Sequence, residues 1–114
     1  MKIQILICLL TVLPSSTFSA SKISSLQCKD AALEQANKLL NFHSDHDERI
    51  EIDQTNVKAL PSIINPASPK QRFDVIEVWG YIYKGQYRMR FEYFSTPPND
   101  CLLMGQEILE FAKL

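Results

Sequence analysis

Apolar and polar positions divide the chain into stretches with different periods. Ile3 to Leu13 is an almost unbroken apolar run, preceded by Lys2 and followed by Pro14-Ser15-Ser16-Thr17-Phe18-Ser19-Ala20. Lys29 to Phe42 carries Ala32, Leu33, Ala36, Leu39 and Leu40 at three- and four-residue spacing, which predicts an amphipathic helix. Asp30 and Glu34 fall in its early turns, where the positive end of the macrodipole favours acids, and Ser44 to Asp47 is expected to end it. Glu48 to Asn56 sets Ile50 and Ile52 against charges in alternation, the pattern of a half-buried strand. Val57 to Gln71 holds Pro61, Pro66 and Pro69, which argue against a regular central strand or a long helix. It is expected to be a connecting loop, with Leu60 to Ile64 tucked against the body.

Phe73 to Ser95 carries the clearest pattern. Two alternating runs, Phe73–Tyr83 and Gln86–Ser95, are joined by Lys84-Gly85, and glycine at the second loop position permits the positive φ of a tight hairpin turn. This turn places Ile82 opposite Tyr87, Gly80 opposite Met89, Val78 opposite Phe91 and Ile76 opposite Tyr93, all on one apolar face. The other face collects Val75, Glu77, Trp79, Tyr81 and Tyr83 beside Arg88, Arg90, Glu92 and Phe94. In that register Tyr81 neighbours Arg88, Trp79 neighbours Arg90, and Glu77 opposes Glu92. Pro97 to Asp100 makes the next turn. Leu102 to Leu109 reads either as a strand, with Leu102, Met104, Gln106 and Ile108 on one face, or as a helix with Met104, Ile108, Phe111 and Ala112 aligned. Gly105 costs a helix interior about 1 kcal/mol, so the strand is preferred, followed by a short tail from Phe111 to Leu114. The expected fold is α+β: one N-terminal helix packed on a four-stranded antiparallel sheet (α-β-β-β-β) with one disulfide.

The first apolar run adds a destination. A lone positive charge, a short apolar core and a small-residue tail are the three parts of a secretory signal. Ile3 to Leu13 is far shorter than the roughly 20 residues needed to span a bilayer, so no stable membrane anchor is expected. Cleavage after Ser19 puts small residues at both recognition positions, whereas cleavage after Ala20 would put Phe18 at one of them. The expected organisation is a signal peptide over 1–19 and a single mature domain over 20–114, located in the periplasm or secreted.

Export changes the cysteine count. Cys8 leaves with the signal, and Cys28 and Cys101 remain as an even pair without metal-ligand spacing. In an oxidising compartment their simplest fate is a disulfide, the rival being two free or redox-active thiols. No Cys-x-x-Cys and no flanking basic cluster favours the thiol reading. Loss of Lys2 leaves eleven of the twelve Lys and Arg against thirteen Asp and Glu. This near balance provides no basic stripe for nucleic acid and no polybasic run for a membrane surface. Nothing in the pattern fixes an oligomeric state.

Candidate chemistry is sparse. His43, His46 and Asp47 lie in a run of imidazoles and carboxylates that could gather a divalent cation, provided that the helix continued through Asp47 and set both histidines on one face. The plainer reading is a polar helix end. No nucleophile elbow and no phosphate-cradling glycine loop occurs, so no catalytic residue, enzyme activity or cofactor is expected. The aromatic and basic hairpin face remains: Trp79, Tyr81, Tyr83, Arg88 and Arg90 have the composition that interfaces favour. It could equally stabilise the sheet, or lie beneath the 57–71 segment.

With its two cysteines and its hairpin, the order of elements resembles the small periplasmic proteins of the colicin M immunity type. These also combine an export or anchoring signal, a leading helix, a four-stranded antiparallel sheet and one disulfide from the chain start to the last strand. Cystatin-like folds are similar at the same level, without the expected glycine-containing inhibitory loop. The resemblance covers Cys28 to about Leu109 as architecture and transfers no functional residue. The segregated face of Trp79, Tyr81, Arg88 and Arg90, on a chain without catalytic groups, leads to the expectation of an exported, non-catalytic binding protein of the cell envelope, of the inhibitor or immunity type. Its protein partner would meet the outer face of the 73–95 hairpin, and metal handling through His43 and His46 is the alternative.

Overall fold

A computed structural model describes residues 22–111; the expected signal peptide and the last three residues lie outside this range. One helix, α1 (Lys29–His43), is followed by five strands: β1 (Ile50–Ile52), β2 (Lys58–Asn65), β3 (Ser68–Ile82), β4 (Gly85–Thr96) and β5 (Asp100–Phe111). All pairings are antiparallel, in the order β1-β3-β4-β5, with β2 also pairing with β3. β1 lies along Gly80–Ile82 and β2 along Ser68–Glu77, so the two together form one margin of the sheet. The α+β architecture and the Cys28–Cys101 disulfide match expectation.

α1 buries Ala32, Ala36 and Leu40, one residue per turn along a single stripe. It ends abruptly for a local reason. Asp45 takes the left-handed conformation (φ 59°), His46 N–H donates to Asn41 C=O, and Asp45 N–H reaches Phe42 C=O. This is the Schellman closure, which satisfies carbonyls the last turn leaves over. Ser44 assists by donating its hydroxyl to Leu40 C=O.

Beneath the stripe lies the inner face of the sheet, Ile76, Val78 and Ile82 on β3 with Met89, Phe91 and Tyr93 on β4. Leu103 and Ile108 of β5 and Ile50 and Ile52 of β1 pack around them. Each such side chain, when fully buried, contributes about 1.5–3 kcal/mol.

Three expectations are corrected. The segment 57–71 is a hairpin rather than a loop: β2 turns through Pro66-Ala67 into β3. The prolines that argued against a strand sit where a sheet tolerates them. Pro61 lies in a register shift between Leu60 and Ile63, and Pro69 lies near the start of β3. The leader, residues 22–27 ahead of α1, completes this margin: Ile23 bridges Pro61, Ser24 N–H donates to Leu60 C=O, and Ser62 N–H donates to Lys22 C=O. Buried Ser24 also accepts Val75 N–H at 2.7 Å.

Second, the β3–β4 loop is Tyr83-Lys84, and the positive φ (54°) belongs to Tyr83 while no glycine has one. The pairing therefore shifts by two residues from the expected register, setting Ile82 opposite Gly85, Val78 opposite Met89 and Ile76 opposite Phe91. A two-residue shift leaves every side chain on its expected face.

Third, β5 continues to Phe111 and carries a bulge: Glu92 faces Gly105 but Tyr93 faces Leu103. Met104 is the extra residue. The bulge ends the shared face expected for Leu102, Met104, Gln106 and Ile108, because it inverts the alternation midway.

Candidate interaction face

The face of the sheet away from α1 is ordered in rows. Lys58, Glu77, Arg90 and Glu107 stand opposite one another across β2, β3, β4 and β5, a row of alternating sign. On one side of it Trp79, Arg88 and Leu109 form a row, and on the other Leu60, Val75, Glu92 and Gly105. The expected opposition of Glu77 and Glu92 is thus replaced by Glu77 with Arg90. Trp79 pairs with Arg88 rather than Arg90, and Tyr81 with Gln86 rather than Arg88.

Glu77 anchors the row. It is only 6% exposed although it points away from the main core. Its Oε1 accepts Trp79 Nε1–H at 2.8 Å, and its Oε2 lies 3.6 Å from Arg90 Nη2. Arg90 Nη1 also reaches Glu107 Oε1 at 3.9 Å. Both oxygens of a shielded carboxylate are therefore engaged, as burial of a charge requires. Phe73 and Val75 are buried on this same face.

Arg88 is in a different situation. Its guanidinium lies 5.9 Å from the centre of the Phe111 ring, in a cation–π arrangement. Phe111 in turn stacks on Trp79, with ring centres 5.5 Å apart and planes inclined by 28°. Among the described residues no carboxylate lies within ion-pair distance of Arg88. The Nε atoms of Arg88 and Arg90 are both shielded and have no hydrogen-bond partner there.

The structure thus brings Trp79, Tyr81, Arg88 and Arg90 onto one face and leaves Tyr83 out. Tyr83 stands exposed at the hairpin tip, with the Arg49 guanidinium 5.3 Å and the Lys84 ammonium 5.5 Å from its ring centre. Arg49 in turn holds Asp47 through side-chain bonds of 3.0 and 2.7 Å and a backbone N–H bond of 2.8 Å. These bonds bring the Asp47 carboxyl down to about 2. Phe111, Leu109 and Glu107 were not among the expected site residues. Their signal was the alternation Glu107-Ile108-Leu109-Glu110-Phe111, legible only if the last strand runs past Leu109.

The histidine run is dispersed by the end of the helix. His43 Nε2 lies 3.4 Å from Glu110 Oε1 and its ring meets Tyr87 edge-on, whereas Asp47 is committed to Arg49. His46 sits beyond the Schellman turn at φ 62°, so it does not share a helical face with His43. Among the described residues no three His, Cys, Asp or Glu side chains gather as a metal site. Close to the disulfide, Ser95 donates to Asp74 at 2.7 Å and contacts Cys28 Sγ at 3.2 Å, while Asp74 also accepts Ser25 N–H. This network ties the leader to β3 and β4.

No protein-family model matches the chain, and no characterised protein or solved structure matches it either.

Proposed function

We propose that the chain is an exported, non-catalytic binding protein of the cell envelope, of the inhibitor or immunity type. It engages a protein partner through the outer face of the β3–β4 hairpin, extended by the end of β5. The observation that carries this reading is the contrast between the two arginines. Arg90 is held by Glu77 and Glu107, whereas Arg88 lies over the Phe111 ring opposite Trp79, without a carboxylate among the described residues. A partly shielded arginine beside Trp and Phe, with exposed Leu109 opposite it on β5, is the composition of an interface hot spot. A partner carboxylate placed over Arg88 would complete the pair. The disulfide fits an oxidising compartment, in keeping with export. The resemblance to the colicin M immunity group supports the reading as architecture only.

The test is capture of the partner from native envelope extract by the wild-type protein, then by Trp79→Ala and Arg88→Ala. Each variant should lose about 2 kcal/mol or more of binding, roughly thirtyfold, while its circular dichroism spectrum is retained. Unchanged capture by both folded variants overturns the proposal.

A further inference from the structure

The two margins of the sheet are finished differently. Along β2 the leader residues Lys22 to Ser24 bond to the strand, so that stretch of the margin is covered. The other margin is β5, which pairs only with β4 among the described residues. Alternate residues of an edge strand direct N–H and C=O away from their one neighbour. Proteins commonly blunt such an edge with lysine, proline or a bulge. Asp100–Phe111 contains neither lysine nor proline, and its bulge lies at Met104. From Gln106 to Phe111 the pairing with β4 is regular, and the outer edge of this stretch has no strand partner among the described residues.

The side chains along that edge state what it would accept. Leu102, Met104, Leu109 and Phe111 are all exposed large apolar groups. The charges of β5 are Asp100, Glu107 and Glu110, with no base among them. Glu107 lies in the outer row with Arg90, while Glu110 contacts His43 on the helix side. Both acids are more than half exposed. A second copy paired edge to edge about Glu107 or Glu110 would set that acid opposite itself, and like charges on neighbouring strands are unfavourable.

We propose that β5 accepts, as an added strand, an extended apolar segment of a partner protein that carries basic residues on both its faces. Glu107 and Glu110 are three residues apart, so they meet bases placed three residues apart in the incoming strand. Main-chain hydrogen bonds would supply affinity, and the two acids would select the charge. This goes beyond the outer-face reading, because the contact is made by backbone groups of an edge rather than by the side chains of the outer face.

The probes are a valine-rich peptide as long as β5 with two lysines three residues apart, and its counterpart with glutamates at those positions. Binding to the protein is followed by fluorescence anisotropy, and β5 amides by hydrogen exchange. The lysine peptide should bind, weaken with added salt, and slow exchange at alternate amides of β5. The glutamate peptide should bind at least about tenfold more weakly. Leu109→Lys, a charge of the kind that protects natural edges, should weaken the lysine peptide at least about tenfold. Glu107→Lys combined with Glu110→Lys should transfer the preference to the glutamate peptide. Equal binding of the two peptides, or β5 amides that the lysine peptide leaves unprotected, would overturn the proposal. So would β5 amides already protected by self-association.

Discussion

Leu40 of α1 rests directly on Gly80 of β3: a Cβ built at position 80 would lie 2.7 Å from Leu40 Cδ2 and 3.0 Å from Met89 Cε. Glycine in a strand ordinarily costs packing and chain entropy. Here the missing side chain sets the distance between the helix and the sheet.

Gly80→Ala should therefore destabilise the protein by about 1–3 kcal/mol, the usual cost of overpacking a filled core. The check is the urea midpoint at unchanged slope. Combination with Leu40→Val should restore part of the loss, because the two positions share one space and their effects cannot add. A Gly80→Ala protein as stable as wild type would show that the helix does not rest on that glycine.

Glu77 offers a second measurement. Glu77→Ala strips the acceptor from Trp79 Nε1–H and the counter-charge from Arg90, and should cost about 2–4 kcal/mol. Glu77→Gln keeps an oxygen for the indole and should cost less. Chemical denaturation of the three proteins ranks them, and equal midpoints would mean that the row of alternating charge contributes nothing to stability.

Much of this architecture is legible in the residues themselves. The helix stripe, the two faces of the β3–β4 hairpin and the last strand follow from period and spacing. What stayed hidden has physical causes. β2 carries Pro61, and a proline is tolerated there only because the leader and a register shift surround it. Lys84-Gly85 advertises a turn, yet Tyr83 takes the positive φ, so the pairing moves by two while the faces stay in place. The Met104 bulge inverts β5 midway, which alternation alone does not announce. Tyr83 misled for a related reason. It continues the alternation of β3, but the turn begins at it.

Tyr93 links the core to pH. Burial, with a smaller contribution from the Glu34 carboxylate, pushes its phenol up from the ordinary 10.0 to about 12. A raised folded value means that the native state holds the proton more tightly than the unfolded chain. Stability from this group is complete below about pH 10 and is lost as the pH rises through about 12. In an alkaline titration the last tyrosinate absorbance should appear together with loss of the near-ultraviolet dichroism. Tyr93→Phe should move that loss to higher pH. If all four tyrosines ionise before the dichroism changes, Tyr93 is accessible in the folded protein.

The Cys28–Cys101 bond closes α1 and β1 to β4 into a covalent ring. Among the described residues, what hangs outside the ring is the leader at one end and the chain from Leu102 to Phe111 at the other. These two tails are the parts that line the two opposite margins of the sheet. The bond encloses neither tail, so the leader and β5 beyond Cys101 are held to the sheet by hydrogen bonds and packing alone while the centre is tied covalently.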